Sequence, residues 1–332
     1  MNEKRKHFIK STLNSPRVTS LLSSFEAIQS GREQVPHTYP QIEQGYLDTH
    51  PDFETHNAIF SRNIGTFYKH YLSSVPYLRE NMMRVDIALK NFAELKHGEP
   101  LAFWAASSGE GTRERALAEF TNGQIMTLHD SPNLSSKREF ERLLTHGNSF
   151  FHHGCWVDIN PTFLQNNPYS SVFENGFDII WENNTFQMYG KNRDEQIAYI
   201  AESLKPNGLV LLLEKLIAPN IEDTVRMENM KTEFKSAYFD EESIRLKEQG
   251  ILKTMHNQLV TLEELTASLQ KTFRNAVLIW NAGNFYEIAA SNSQETLHQF
   301  VDSLPEPYVP NNYRLEQQQV RPLITNGQIM RF

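Results

Sequence analysis

Cysteine is the scarcest resource of this 332-residue chain, with Cys155 the single one. One thiol excludes an internal disulfide framework and fits a reducing compartment. Long hydrophobic runs are missing as well. No apolar stretch approaches the ~18 residues a membrane span needs. The basic start "MNEKRKHFIK" lacks the apolar core of a signal peptide. Positive charge is in deficit: 32 Lys and Arg stand against 40 Asp and Glu, a net charge of −8, so the basic face that nucleic acid requires is not expected. The chain also has no G-x-S-x-G, no GxxxxGK[ST] and no H-E-x-x-H, which removes the support for a hydrolase elbow, a P-loop or a zincin. What is present, 39% hydrophobic and 22% charged residues, predicts a packed core in one large domain with an appendage or in two domains. The reading is of a cytoplasmic protein with no nucleic-acid or membrane partner, and with a homodimer left open.

Residues 1–95 carry apolar residues at helical spacing, as in "RVTSLLSSFEAI" and "HNAIFSRNIGTFYKHYLSSVPYL", parted by the Pro-rich loop "VPHTYPQIEQGYLDTHPD". Between about 100 and 216 short apolar runs alternate with polar helical stretches: "LAFWA", "GQIMTL", "NSFFHH", "FDIIW" and "GLVLLLE". That alternation predicts a doubly wound α/β fold, a mostly parallel sheet with helices on both faces. "GLVLLLE" is apolar throughout, as a strand covered on both faces should be. Residues 217–270 read as charged helices. "NAVLIWNA" and "FYEIAAS", parted by "GN", predict an antiparallel pair that closes the sheet. The expected organisation is a helical N-terminal cap or lid over 1–97, an α/β domain over 98–300 with a helical insertion at 217–270, and a C-terminal extension over 301–332. "TNGQIM" occurs at 121–126 and again at 325–330. An Asn-Gly turn feeding a strand accounts for both copies.

The stretch "LAFWAASSGEGTRERALAEF", residues 101–120, reads as strand, small-residue loop and helix. In such sheets ligands sit beyond the carboxyl ends of the strands. Gly109 and Gly111 are spaced G-x-G in that loop. The same pattern also serves a plain tight strand–helix turn. The next strand ends "TLHDSP", where Asp130 either accepts from ribose hydroxyls or caps the following helix. The strand "FDIIWENNTFQMY" ends in the polar cluster Glu182, Asn183, Asn184 and Thr185, at the edge where chemistry takes place.

This succession resembles the class I S-adenosylmethionine-dependent methyltransferases over residues 98–290. The motif that carries the likeness is "FDIIWENNTFQMYGKNRDEQIAYIAESLKPNGLVLLLEK", and the family's reversed final strand matches "NAVLIWNAGNFYEIAAS". Beyond Glu214, "KTEFKSAYFDEESIRLKEQGILKTM", "LVTLEEL" and "VLIWNAGNFYEIAA" are similar to the carboxy-S-adenosylmethionine synthases of tRNA wobble-uridine modification, as are "HDSP" and "NNTFQ". The resemblance implies a Rossmann-like sheet, S-adenosyl-L-methionine as cofactor, and methyl transfer to a small-molecule or peptide-like acceptor. A carboxy-S-adenosylmethionine synthase-like activity and a catalytically silent cofactor-binding protein are the alternatives.

The sequence departs from the family at informative places. Where the loop usually carries an acid and a first glycine, it has Ala105 and Ser107. The acid ending the second strand reads His129, with Asp130 next. The acid that meets the adenine amino group falls near Cys155. The arginine that holds the extra carboxylate in the carboxy-transfer branch falls near Lys247, with Arg245 two residues before it, and Arg and Lys do not bind carboxylates alike. The loop therefore reads as an altered cofactor loop. Its cofactor candidates are Ala106, Ser107, Gly109, Gly111, Asp130, Cys155 and Asn183. Glu182, Asn184, Tyr238 and Lys247 are the catalytic candidates, and Arg245, Lys247 and His256 the substrate ones. No metal is expected: His152 and His153 of "FHHGC" point to opposite faces of a strand. The aromatics Phe60, Phe67, Tyr68, Tyr71 and Tyr77 read mainly as core, and "RLKEQGILK" mainly as a solvated helix face.

Overall fold

The computed structural model describes residues 3–96 and 98–330. Among these residues nine strands form one sheet: β1 (Leu101–Ala106), β2 (Ile125–Ser131), β3 (Ser149–His153), β4 (Phe177–Asn183), β5 (Leu204–Lys215), β6 (Asn275–Ala282), β7 (Phe285–Ser291), β8 (Arg321–Thr325) and β9 (Gln328–Ile329). Their order is β3-β2-β1-β4-β5-β7-β6-β8-β9. The first five strands run parallel. β7 is antiparallel to both its neighbours, β5 and β6.

The expectation of a mostly parallel sheet with one final reversed strand needs correction. Four of the eight pairings are antiparallel. The extra ones come from the tail, where β8 pairs with the outer edge of β6 and β9 folds back on β8. Asn326 and Gly327, at φ 51° and 80°, make that two-residue return. Asn122 and Gly123 take the same left-handed pair before β2, at 49° and 78°. Both copies of "TNGQIM" are thus Asn-Gly turns that feed a strand.

Strand alternation sorts the core into two layers. Phe103 and Ala105 of β1, Trp181 of β4 and Leu211 of β5 face one side, together with Met82, Met83, Ile87 and Leu89. Ala102, Trp104 and Ala106 face the other side with Ile180, Leu212, Ile197 and Leu265. The helix Leu78–Leu95 is therefore a layer of the sheet itself, while helices nearer the N-terminus reach over the carboxyl edge. After β5 the chain runs through helices Ile221–Ser236, Glu241–Lys247 and Leu262–Gln270. Asn220, Asp240 and Thr261 start them by accepting from backbone amides of their first turns.

A buried ionic group ties the helices to the sheet. Asp86 accepts from Arg113 Nε at 2.8 Å and lies 2.9 Å from His56 Nε2. The Arg113 guanidinium stacks 4.0 Å from the Trp181 ring centroid. Asp86 and Arg113 are both fully buried. Removing one partner of such a pair leaves the other charge without compensation in the core. Asp86→Ala should cost about 3–5 kcal/mol in urea unfolding. A loss under about 1 kcal/mol would mean that the pair contributes no more than an exposed one.

Candidate functional site

β1 lies between β2 and β4, so the connections leaving its carboxyl end and that of β4 diverge and open a crevice. A cavity of about 110 Å³ sits there. Its floor is Ser107, Asn183 and Asn184, its roof Phe25, Phe67 and Tyr71 from the N-terminal helices, and its far end Lys215, Lys231, Lys235 and Lys247.

The loop after β1 is held on all sides. Ala106 offers its carbonyl to Thr185 Oγ1 at 2.7 Å. Ser107 adopts φ 54°, an uncommon conformation for a residue with a side chain, and its hydroxyl donates to Asp130 Oδ2 at 3.2 Å. A Cβ on Gly109 would stand 2.5 Å from the Phe67 ring, and one on Gly111 would stand 2.1 Å from His129 Cε1. Both glycines have φ near 70°. The missing side chains thus make room for the protein's own rings. Neither glycine, expected to meet a cofactor directly, lines the cavity. The Glu110 carboxylate fixes the lid over this loop by accepting from the amide of Tyr68 at 3.1 Å and from Thr112 Oγ1 at 2.9 Å.

At the end of β4, Tyr71 donates its hydroxyl to Asn183 Oδ1 at 2.5 Å, and Asn184 Nδ2 donates to the Tyr71 oxygen at 2.7 Å. Burial holds the Tyr71 phenol protonated, far above its ordinary range. Glu182 is placed differently from its expected catalytic role. Its side chain is fully buried and accepts from the amides of Thr185 and Phe186. Burial and the nearby Glu214 raise its pKa. It shapes the turn that presents the two asparagines, and does not line the cavity.

Asp130 is also turned inward. It accepts from Trp104 Nε1 at 3.1 Å and from Ser107, and is fully buried. It does not line the cavity, so the expected ribose acceptor faces the protein interior. Cys155 is buried and its thiol is pushed up to about 12 by burial. It too lies outside the cavity. Tyr238 packs on Phe234 with ring centroids 5.1 Å apart, away from the site. Arg245 is exposed and pairs with Glu242, at 2.6 Å from Oε1 and 2.8 Å from Oε2. His256 is exposed. Arg245 falls outside because two residues, about half a helical turn, set it on the face opposite Lys247, and His256 ends the separate short helix Lys253–His256. Of the insertion's candidates, Lys247 is the one that enters. Its Nζ lies 2.6 Å from His70 Nε2 and 3.0 Å from Ser74 Oγ. Burial, with Lys231 and Lys215, lowers its pKa to about 7.

Several lining residues had no individual sequence signal. Arg17, 2% exposed, donates Nη2 to Asn133 Oδ1 at 2.6 Å, while its Nε and Nη1 find no partner. Lys215 closes the apolar run of β5, where a buried cation is the one visible clue. His70 Nδ1 donates to the Gln34 carbonyl at 2.7 Å, which leaves Nε2 to accept from Lys247. Among the described residues no three His, Cys, Asp or Glu side chains form a group that could hold a metal. No described helix is long and apolar enough to cross a membrane.

No family model matches this chain, and no curated protein does. Among solved structures it is similar to the plantazolicin methyltransferase BpumL in complex with a monoazolic desmethylPZN analog and SAH. That match has 9% identity and a TM-score of 0.47, covering 88% of this chain and 98% of the other. An S-adenosyl-L-homocysteine complex of a SAM-dependent methyltransferase from Thiobacillus denitrificans has 16% identity and a TM-score of 0.34, covering 66% and 71%. A Geobacter sulfurreducens counterpart, also with S-adenosyl-L-homocysteine, has 15% and 0.34, covering 65% and 70%. All three scores lie below 0.5, and the functional reading rests on the chain's own geometry.

The buried Asp130 carboxyl gives a test of its inward placement. Burial raises its pKa from 3.8 to about 7. A raised acid stabilises the fold fully below its unfolded pKa, and that contribution is lost as pH rises through 7. Asp130→Asn should therefore flatten the fall in stability between pH 4 and pH 7, by a few kcal/mol at about 1.4 kcal/mol per unit. Urea unfolding across that range checks this. An unchanged slope would mean that Asp130 is solvated and free for a ligand.

Proposed function

We propose that this chain is an S-adenosyl-L-methionine-dependent methyltransferase acting on a small-molecule or peptide-like acceptor. One observation carries the reading: the described cavity bearing Ser107, Asn183 and Asn184 lies at the β1/β4 switch point of a sheet ordered β3-β2-β1-β4-β5-β7-β6 with β7 reversed. Arg17 supports a cofactor there, because its two unpartnered nitrogens suit the carboxylate of an amino-acid moiety. Ser107 and Asn183 are the other polar groups placed to hold it. When bound, the cofactor supplies an activated methyl for displacement.

The residues fit a cofactor in an opened form of the cavity. A volume of about 110 Å³ is below the roughly 300–1,000 Å³ of small-molecule sites. The helices Leu22–Gln29 and Thr66–Leu72, which carry Phe25 and Phe67 into the roof, must move outward on entry. In this reading the described helices before β1 act partly as a lid over the α/β domain, the 217–270 insertion walls the acceptor side, and β8 and β9 extend the sheet. The chain's own residues then align acceptor and methyl and exclude water. Lys247, buried beside His70 at the far end of the cavity, is placed to contact the acceptor. The carboxy-cofactor alternative loses its support, because Arg245 faces solvent and Lys247 offers no fork for a bidentate carboxylate.

Calorimetric titration with S-adenosylhomocysteine tests the reading. Saturable one-to-one binding is expected, weakened about tenfold, or about 1.4 kcal/mol, by Asn183→Leu. Arg245→Ala and His256→Ala should change nothing. Full affinity in Asn183→Leu would move the site elsewhere. In turnover assays Lys247→Ala should raise the acceptor KM and leave cofactor affinity alone. Unaltered acceptor kinetics would remove Lys247 from the acceptor end.

A further inference from the structure

The far end of the cavity is out of charge balance. Lys215 ends β5, Lys231 and Lys235 lie on the helix Ile221–Ser236, and Lys247 ends the helix Glu241–Lys247. Lys215, Lys231 and Lys235 are 6%, 1% and 3% exposed, and all four lysines line the cavity. One carboxylate answers them. Glu228 takes Lys215 on Oε1 at 2.7 Å and Lys231 on Oε2. Among the described residues the Lys247 ammonium has the neutral His70 and Ser74 as its polar partners, and no carboxylate. The Lys235 ammonium makes no hydrogen bond or ion pair with any described residue, and three neighbouring lysines outweigh the pull of Glu228 on it.

Buried cations without counter-ions are costly, and their mutual repulsion adds to the cost. Burial and the neighbouring lysines push Lys215 and Lys247 down to about 7, and Lys235 well below its ordinary range. Packing does not require this arrangement: the four side chains come from three elements and converge only at the cavity. The charges instead match a ligand. Four ammonium groups against Glu228 leave three positive charges when all are protonated. A single carboxylate would neutralise one of them. Lysines act as compact point charges toward phosphate, whereas planar carboxylates favour arginine forks, and no arginine lies at this end.

We propose that Lys215, Lys231, Lys235 and Lys247 form a binding site for a phosphate or diphosphate group, which makes the acceptor a phosphorylated small molecule. The inference rests on the methyltransferase reading for the word acceptor, while the anion site stands on the cavity alone. Calorimetry on the full chain, with inorganic pyrophosphate, succinate and S-adenosylhomocysteine titrated separately, tests it. Pyrophosphate should bind one-to-one and at least tenfold more tightly than succinate. Lys235→Met should weaken pyrophosphate at least tenfold while Tm holds or rises, because the substitution relieves repulsion. Lys247→Met is the second variant, with the same loss expected. Absence of pyrophosphate binding, equal affinity for succinate, or a fall in Tm with pyrophosphate affinity intact would each overturn the proposal. S-adenosylhomocysteine binding without pyrophosphate binding would overturn the anion site alone. Pyrophosphate binding without S-adenosylhomocysteine binding would keep the anion site and overturn the cofactor reading.

Discussion

The position of β1 between β2 and β4 is the constraint on which the rest depends. Parallel strands send their connections out at the same edge, and at this point the connections leave in opposite directions. The gap that results cannot be filled by either crossover helix. Here it is roofed from elsewhere, by helices that the chain makes before the sheet begins. Glu110 locks that roof to the loop through the Tyr68 amide and Thr112, and Tyr71 locks it to β4 through two asparagines. Lid and floor are thus one hydrogen-bonded unit, and its contacts are the ones an entering ligand must exchange.

The two ends of the cavity differ in chemistry. Near β1 and β4 the groups are neutral amides and hydroxyls, with Arg17 as the one cation. Toward β5 the lining is cationic. The insertion contributes most of that charge while remaining an acidic, solvated surface on its outer side, as in the Arg245–Glu242 pair. Inward and outward faces of one short helix thus carry opposite meanings, a buried cation at Lys247 and a surface ion pair at Arg245. Surface pairs of that kind contribute little to stability, whereas the inward lysines are a large local cost that binding can offset.

Much of the sheet was legible because its signals are local and periodic. "GLVLLLE" is apolar on both faces, and the two Asn-Gly turns specify their own backbone. The second sheet edge was harder to read, because β8 and β9 are short and gain their strand character only from pairing with β6. The site was legible by place more than by residue. Asn183, Asn184, Ser107 and Lys247 line the cavity. Glu182 and Asp130, adjacent in sequence or register, point into the fold and serve backbone amides, an indole and a hydroxyl. Strand alternation separates such neighbours by half a turn, and the bend after Glu182 decides which of them faces out. Arg17 and Tyr71 are placed by contacts with residues more than a hundred positions away, which no local pattern records.

In the proposed function an adenosyl cofactor enters the β1/β4 crevice by lifting the N-terminal roof. Hydrogen–deuterium exchange with and without S-adenosylhomocysteine addresses it directly, because bound ligand changes protection where backbone and lid meet it. Altered exchange is expected in 106–111 and 183–187, together with the helices Leu22–Gln29 and Thr66–Leu72. Ligand-dependent changes confined to other parts of the chain, with these four segments unaffected, would contradict it.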